Sequence, residues 1–325
     1  MALAALGLIA CGETGSRADD AKVEAKADVK VEPDAKQTEA APREPETRAD
    51  VMLVIQDVGF MTPESALHDP VADLYLVSNI EGAPTEEDGN GFISRVTPDG
   101  DVQALKWIDG FSDGVTLNAP KGMALVGDAL YVADIDHVRK FDRRAGTPAG
   151  AIKIEGAKFL NDVAPARPDD AGAAVYVSDM GADVVYRVGL DDAVTPLARG
   201  EALAGPNGLA SSAQGLFMVN KSGGVFRLEG GEAKPVATAP AGGLDGVVFW
   251  PSGGGLLVSS WEGQAVYRVD LAAGAVTTQF GAGHGDAGAL VSPADIGFDE
   301  KRQRLLVPHF QQNTLRIMPV APPAG

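Results

Sequence analysis

From residue 51 onward, short runs rich in Val, Leu, Tyr and Phe are separated by Gly, Pro, Asp and Asn every ten residues or so, the pattern of many short antiparallel strands. The pattern also repeats on a longer scale. Pro63-Glu64-Ser65-Ala66, Pro120-Lys121-Gly122-Met123, Leu160-Asn161-Asp162-Val163, Pro206-Asn207-Gly208-Leu209, Leu244-Asp245-Gly246-Val247 and Pro293-Ala294-Asp295-Ile296 each open a unit. A second apolar run follows each: Leu74 to Ser78, Leu130 to Ala133, Val175 to Ser178, Leu216 to Val219, Leu256 to Ser259 and Leu305 to Val307. The second residue of each opening motif falls at 64, 121, 161, 207, 245 and 294, at intervals of 57, 40, 46, 38 and 49 residues. A period of about 40 to 50 residues with several strands per unit belongs to propeller blades.

The sequence therefore predicts an all-β, six-bladed β-propeller over residues 51–320, with 321–325 as a C-terminal tail. The sixth unit runs out near Val320 after three strands, while Val51-Met52-Leu53-Val54-Ile55 precedes the first unit without a partner. That N-terminal strand is expected to complete the last blade and close the ring, leaving only short sheet edges. The long first interval holds an insertion, Glu81 to Gly91, whose Gly-, Pro- and acid-rich sequence reads as a solvent-facing loop.

Composition narrows the partners. Lys and Arg number 27 against 45 Asp and Glu, a net charge of −18, which opposes binding to phosphate backbones and excludes a nucleic-acid partner. No apolar run reaches the roughly 18 residues of a spanning helix. A single cysteine permits neither an internal disulfide nor a cysteine zinc cage, so any metal must be held by oxygen or histidine.

The first eleven residues are apolar and small and end at Cys11. Leu8-Ile9-Ala10-Cys11 resembles the lipobox of a bacterial lipoprotein signal, which implies cleavage before Cys11 and lipidation of its sulfur. No Lys or Arg precedes it, so the charged start of the export signal is expected upstream of Met1. Residues 1–10 are read as the signal remnant and 11–50 as the lipidated cysteine and a disordered linker rich in Ala, Glu, Asp, Lys and Pro. Gly12 after the cysteine is not the Asp of an inner-membrane retention signal. The expected location is extracytoplasmic, at the outer membrane or the periplasmic face, with the membrane touched only through the lipid.

In a propeller, the innermost strand of each blade starts at the rim of the central channel, so the six marker residues converge: Glu64, Lys121, Asn161, Asn207, Asp245 and Ala294. Carboxylates from Glu64 and Asp245 with amide oxygens from Asn161 and Asn207 form a donor set suited to a hard divalent cation. Singly, Asn and Asp in Pro-Asn-Gly or Leu-Asp-Gly are also ordinary turn formers; the shared register favours the metal.

Pro-Glu-Ser in the first unit, Asn-Asp in the third, Asn-Gly in the fourth and Asp-Gly in the fifth resemble the SMP-30/gluconolactonase-like family of six-bladed propellers. The likeness covers residues 51–320 in organisation and is sharp at those four motifs. It implies that Glu64, Asn207 and Asp245 bind one divalent cation, Ca²⁺ first, with Mn²⁺, Mg²⁺ or Zn²⁺ as alternatives. It also implies that Asn161 lies beside metal and substrate, and that Asp245 is the general base for lactone hydrolysis. Two positions depart from the family. Phe159 stands where a substrate-binding Arg is common, and Lys121 brings an ammonium that a divalent cation would repel unless a carboxylate neutralises it. Lys121 can instead grip a substrate carboxylate or replace the metal as the positive group.

Loops after the second strands are expected to ring the same mouth with Asn79, Asp134, Asp136, His137, Asp179, Asn220, Lys221, Trp261 and His309. Trp261 offers an aromatic face to a flat ligand, and His309 joins it as a candidate substrate contact. Sequences for a zinc helix, a nucleophile elbow or a phosphate-binding loop are absent. Gly283-His284-Gly285-Asp286-Ala287-Gly288 matches a dinucleotide fingerprint in spacing, but a Pro-containing segment follows where a helix would be needed. The function expected is a monomeric, metal-dependent hydrolase of sugar lactones or related cyclic esters, taking a small molecule at the propeller mouth. The alternative is a non-catalytic ligand-binding propeller or an NHL-like protein-interaction scaffold.

Overall fold

The apolar run at the second position of each unit is buried on both faces, because it lies between two strands of its own sheet and between two neighbouring sheets. Leu74–Asn79, Gly215–Asn220, Gly255–Ser260 and Arg304–His309 are buried at every residue. The computed structural model describes residues 51–250, 252, 254–284 and 287–321. The expected export signal, Cys11 and the linker lie outside them.

The described residues form six four-stranded antiparallel sheets arranged as a six-bladed β-propeller. Blade 1 spans 63–109, blade 2 120–153, blade 3 160–199, blade 4 206–238 and blade 5 244–280, each with its strands in sequence order from the inside out. Blade 6 takes its inner three strands from 297–319 and its outermost from Leu53–Ile55, which pairs antiparallel with Thr314–Pro319. The closure expected from the unpaired N-terminal run is therefore present, in the register Leu53 to Ile317 and Ile55 to Leu315.

Among the described residues there is no single central core. Each of the six seams between blades carries its own hydrophobic cluster. At the closing seam, Ile55, Leu306, Leu315 and Ile317 of blade 6 pack on Tyr75, Val77 and Val96 of blade 1 and on Phe60 of the segment leading into it. Such burial contributes about 25 cal/mol for each Å² of apolar surface removed from water. The same seam is pinned by Arg302, which donates to Asp73 at 2.7 Å and to Asp299 at 3.0 Å, and by Tyr75 Oη, which donates to Asp299 at 2.7 Å. Among the described residues no helix is long and apolar enough to cross a membrane.

Candidate functional site

The ladder between the first and second strands breaks at the marker residue. Pairing skips between Pro63 and Ser65, Pro120 and Met123, Leu160 and Val163, Pro206 and Leu209, and Leu244 and Val247. Each irregularity is a β-bulge, which re-aims a side chain out of the sheet's alternation. Glu64, Lys121, Asn161, Asn207 and Asp245 consequently line one cavity of about 370 Å³ at the channel mouth, each no more than 6% exposed. The sixth marker, Ala294, is fully buried and brings no polar group.

The inner strands approach closely enough that the position after the marker must be small or shared. A Cβ on Gly122 would collide with Asp162, and one on Gly246 with the Ile296 backbone and Asp295. Asp162 and Asp295 thus sit deeper in the channel. Asp162 accepts from Val163 N and Leu209 N, both at 2.6 Å, and Asp295 accepts from Ser65 Oγ at 2.5 Å. Sequence reasoning passed over these two carboxylates, although both stand in the quoted opening motifs.

Four carboxylates therefore share a buried space with one ammonium. Burial first, then the charges of Asp245 and Asp295, raise Glu64 well above the usual range against the pull of Lys121. Burial raises Asp245 to about 7, opposed by the hydrogen bond from Trp261. Asp162 rises to about 6 and Asp295 well above its ordinary value, again chiefly through burial. Burial lowers Lys121 to about 8, with Glu64 and Asp134 opposing. Its Nζ donates to Ala119 O at 2.8 Å and lies 4.7 Å from the centre of the Phe159 ring, so the two departures from the family pattern touch each other.

The orphaned atoms test whether a cation fits. Glu64 Oε2, Asn161 Oδ1, Asn207 Oδ1 and Asp245 Oδ1 are buried without a hydrogen-bond partner. All four are acceptors, contributed by four different blades. Buried polar atoms are nearly always satisfied, so a set of bare oxygens at one site fits a hard cation. Two carboxylates match its charge. Among the described residues no group of three or more His, Cys, Asp or Glu side chains is placed to hold a metal, so a cation here depends on the amides as well.

The expected rim residues fare differently. Asn79, Asp134, Asp179, Asn220 and His309 are at most 2% exposed and none lines the cavity. Four of them clamp the segment that leads into the first strand of their own blade. Asp134 accepts from Asn118 N and Ala119 N, Asp179 from Lys158 N and Phe159 N, and Asn79 from Met61 N, while Asn220 Nδ2 donates to Leu203 O. His309, taken from sequence as a substrate contact, is corrected here. Its ring is fully buried, Nδ1 bonds Val291 O at 2.9 Å, and burial keeps it neutral by lowering its pKa to about 4. His137 and Asp136 pair with each other at 2.5 Å, away from the cavity.

The cavity wall comes from the next residue along. Immediately after the six second strands stand Ile80, Ile135, Met180, Lys221, Trp261 and Phe310. Five of these line the cavity, and the sixth, Ile135, packs with Ile80, Ala119 and Phe310 just behind it. Trp261 meets Phe310 with ring centres 5.1 Å apart and donates from Nε1 to Asp245 Oδ2 at 2.6 Å. The insertion loop adds Pro84 to the wall, while Glu86, Glu87 and Asp88 face solvent.

No protein-family model matches the chain, and no curated protein matches it. Solved structures do. A gluconolactonase from Xanthomonas campestris is 20% identical, over 83% of this chain and 89% of that one, with a TM-score of 0.60. Virginiamycin B lyase from Staphylococcus aureus is 12% identical, over 82% and 98%, with a TM-score of 0.55. A chain of a nidogen/laminin complex is 19% identical, over 66% and 79%, with a TM-score of 0.53. At these identities the likeness shows the propeller fold, and neighbours so unlike in role leave the activity to be argued from the site.

Proposed function

We propose that the chain is a divalent-cation-dependent hydrolase of lactones or related cyclic esters, acting at the channel mouth. The observation that carries the reading is the set of four unpartnered buried oxygens, on Glu64, Asn161, Asn207 and Asp245, beside an acid whose proton affinity lies near neutrality. The gluconolactonase among the structural neighbours adds support, sharing this fold.

Glu64, Asn207 and Asp245 would hold the cation, with Asn161 beside it. Its charge would polarise the ester carbonyl and make a water acidic enough to attack at neutral pH. Asp245 is the general base. Trp261 fixes Oδ2, so Oδ1 would serve both as the cation's oxygen and as the acceptor of the attacking water's proton. As the new C–O bond forms and the ring C–O bond breaks, that proton passes to the leaving alkoxide, and the product is an open-chain hydroxy acid. Lys121, pinned by Ala119 O and the Phe159 face, offers its remaining N–H donors to the developing oxyanion or the product carboxylate.

The test is lactone hydrolysis by chelator-stripped protein, with and without added Ca²⁺, Mn²⁺, Mg²⁺ or Zn²⁺. Activity that returns with one cation and falls at least a hundredfold in Asp245→Asn supports the reading; activity indifferent to chelator or to that substitution refutes it. The competing reading is a ligand-binding propeller without turnover. It is favoured by Lys121, whose ammonium stands close enough to Glu64 to compete for its charge. In that case lactones bind and no cation restores hydrolysis. We carry display on a membrane through Cys11 as part of the same proposal. Expressed behind an upstream export signal, the chain should fractionate with membranes, and Cys11→Ala should release it.

A further inference from the structure

The mouth is built in two tiers of opposite chemistry. The floor consists of marker residues raised by the bulges, and all its orphaned atoms are acceptors. The wall consists of the residues that follow the second strands. Ile80, Met180, Trp261 and Phe310, joined by Phe159 and Pro84, form an almost unbroken apolar collar. Among the described residues the only charged wall groups, Lys221 and Glu262, are exposed at the outer rim.

A polyhydroxylated ring would bury several hydroxyls against this collar. The floor oxygens are committed if they hold a cation, the spare Lys121 donors serve the ester group itself, Trp261 Nε1 already donates to Asp245, and Asn207 Nδ2 already donates to Leu244 O at 3.1 Å. Hydroxyls desolvated without partners weaken binding. An aliphatic substituent meets the opposite situation, with every methylene leaving water for carbon and sulfur contacts.

We infer that the preferred substrate is a cyclic ester carrying an apolar alkyl or aryl substituent, with its ester group on the polar floor and its substituent in the collar of Phe159, Met180, Trp261 and Phe310. The inference rests on the hydrolase reading for the ester group, and on the wall alone for the substituent.

Non-hydrolysable lactams separate the two. Calorimetric titration of the calcium-supplemented protein with a δ-lactam bearing a hexyl chain, and with polyhydroxylated gluconolactam, reads binding without turnover. The hexyl lactam should bind at least tenfold more tightly, and each methylene removed should weaken it roughly fourfold. Phe310→Gln should abolish most of that preference while leaving calcium binding unchanged, which also shows that the variant is folded. Gluconolactam binding as tightly as the hexyl compound, no binding of either, or a Phe310→Gln variant with undiminished hexyl-lactam affinity overturns the inference. If the hexyl lactam binds as expected but the matching lactone is never hydrolysed, the apolar preference stands and the hydrolase reading falls. Gluconolactone turned over without any preference for the hexyl lactam gives the reverse.

Discussion

Replacing Asp245 with Asn should stabilise the metal-free protein at alkaline pH while destroying its site. Burial raises this carboxyl from an ordinary 3.8 to about 7. The unfolded chain therefore releases the proton near pH 4 and the folded one near pH 7, so across that interval the folded state binds more protons. Wild-type stability must fall as pH rises through it. Three pKa units at 1.36 kcal/mol each make the cost of an ionised Asp245 at pH 8 roughly 4 kcal/mol. This is an upper bound, because the same proton can be shared with Glu64, Asp162 and Asp295. Asn matches the shape, carries no charge and keeps an oxygen for the Trp261 N–H. In a domain of this size 1 kcal/mol moves the melting temperature by roughly 2 to 4 °C, so in chelator at pH 8 the variant should melt up to roughly 16 °C above wild type. At pH 4 the two should coincide, since the wild-type carboxyl is then protonated in the folded state. Adding Ca²⁺ should raise the wild type and close the gap, because only the wild type binds it tightly. Thermal unfolding followed by circular dichroism at the two pH values, with and without calcium, measures all of this. A variant no more stable than wild type at pH 8 in chelator, or a gap that persists unchanged at pH 4, would refute the argument.

Other consequences are more local. Asp134→Ala leaves Arg139 without its buried partner and frees Asn118 N and Ala119 N, so stability should fall by roughly 3 to 5 kcal/mol in denaturant titration; a loss below 1 kcal/mol would contradict the clamp. Deleting residues 51–56 bares the edge of Thr314–Pro319, and gel filtration should show aggregation with loss of a cooperative melt, whereas an unchanged monomer would deny ring closure by this strand. Trp261→Phe removes the donor that stabilises ionised Asp245. The acid limb of kcat/KM should move upward by about one pH unit, and an unmoved limb would separate Trp261 from the base.

The period of the opening motifs carried the architecture, since each blade must bury its second strand on both faces and so repeats the same apolar run. The orphaned Leu53–Ile55 run was legible for the same reason, as the only strand-like segment without a unit. The sixth blade was less regular than its motif implied. Its first strand is confined to Gly297–Asp299, because Asp295 bridges to Ser65 and Pro293 to His309 instead. The floor of the site was legible because one register sets five of the six markers. Of the wall, Lys221 and Trp261 were read from sequence, while Ile80, Met180 and Phe310 were missed by one residue. Polar residues ending the second strands, such as Asp134 and Asp179, look like rim groups in sequence, yet they turn inward to hold the approaching loop. Their successors, Met180 and Phe310 among them, face the cavity. Strand alternation makes a one-residue offset a change of face, and nothing in local composition announces which residue of the pair is inside.

Calorimetric titration of the chelator-stripped chain with Ca²⁺, then Mn²⁺, Mg²⁺ and Zn²⁺, at pH 7.5 bears most directly on the central claim. The expected result is one divalent site per chain, lost in Asp245→Ala and in Glu64→Gln and kept in Phe310→Gln. No saturable site for any of the four ions, or a site indifferent to Glu64 and Asp245, would contradict it.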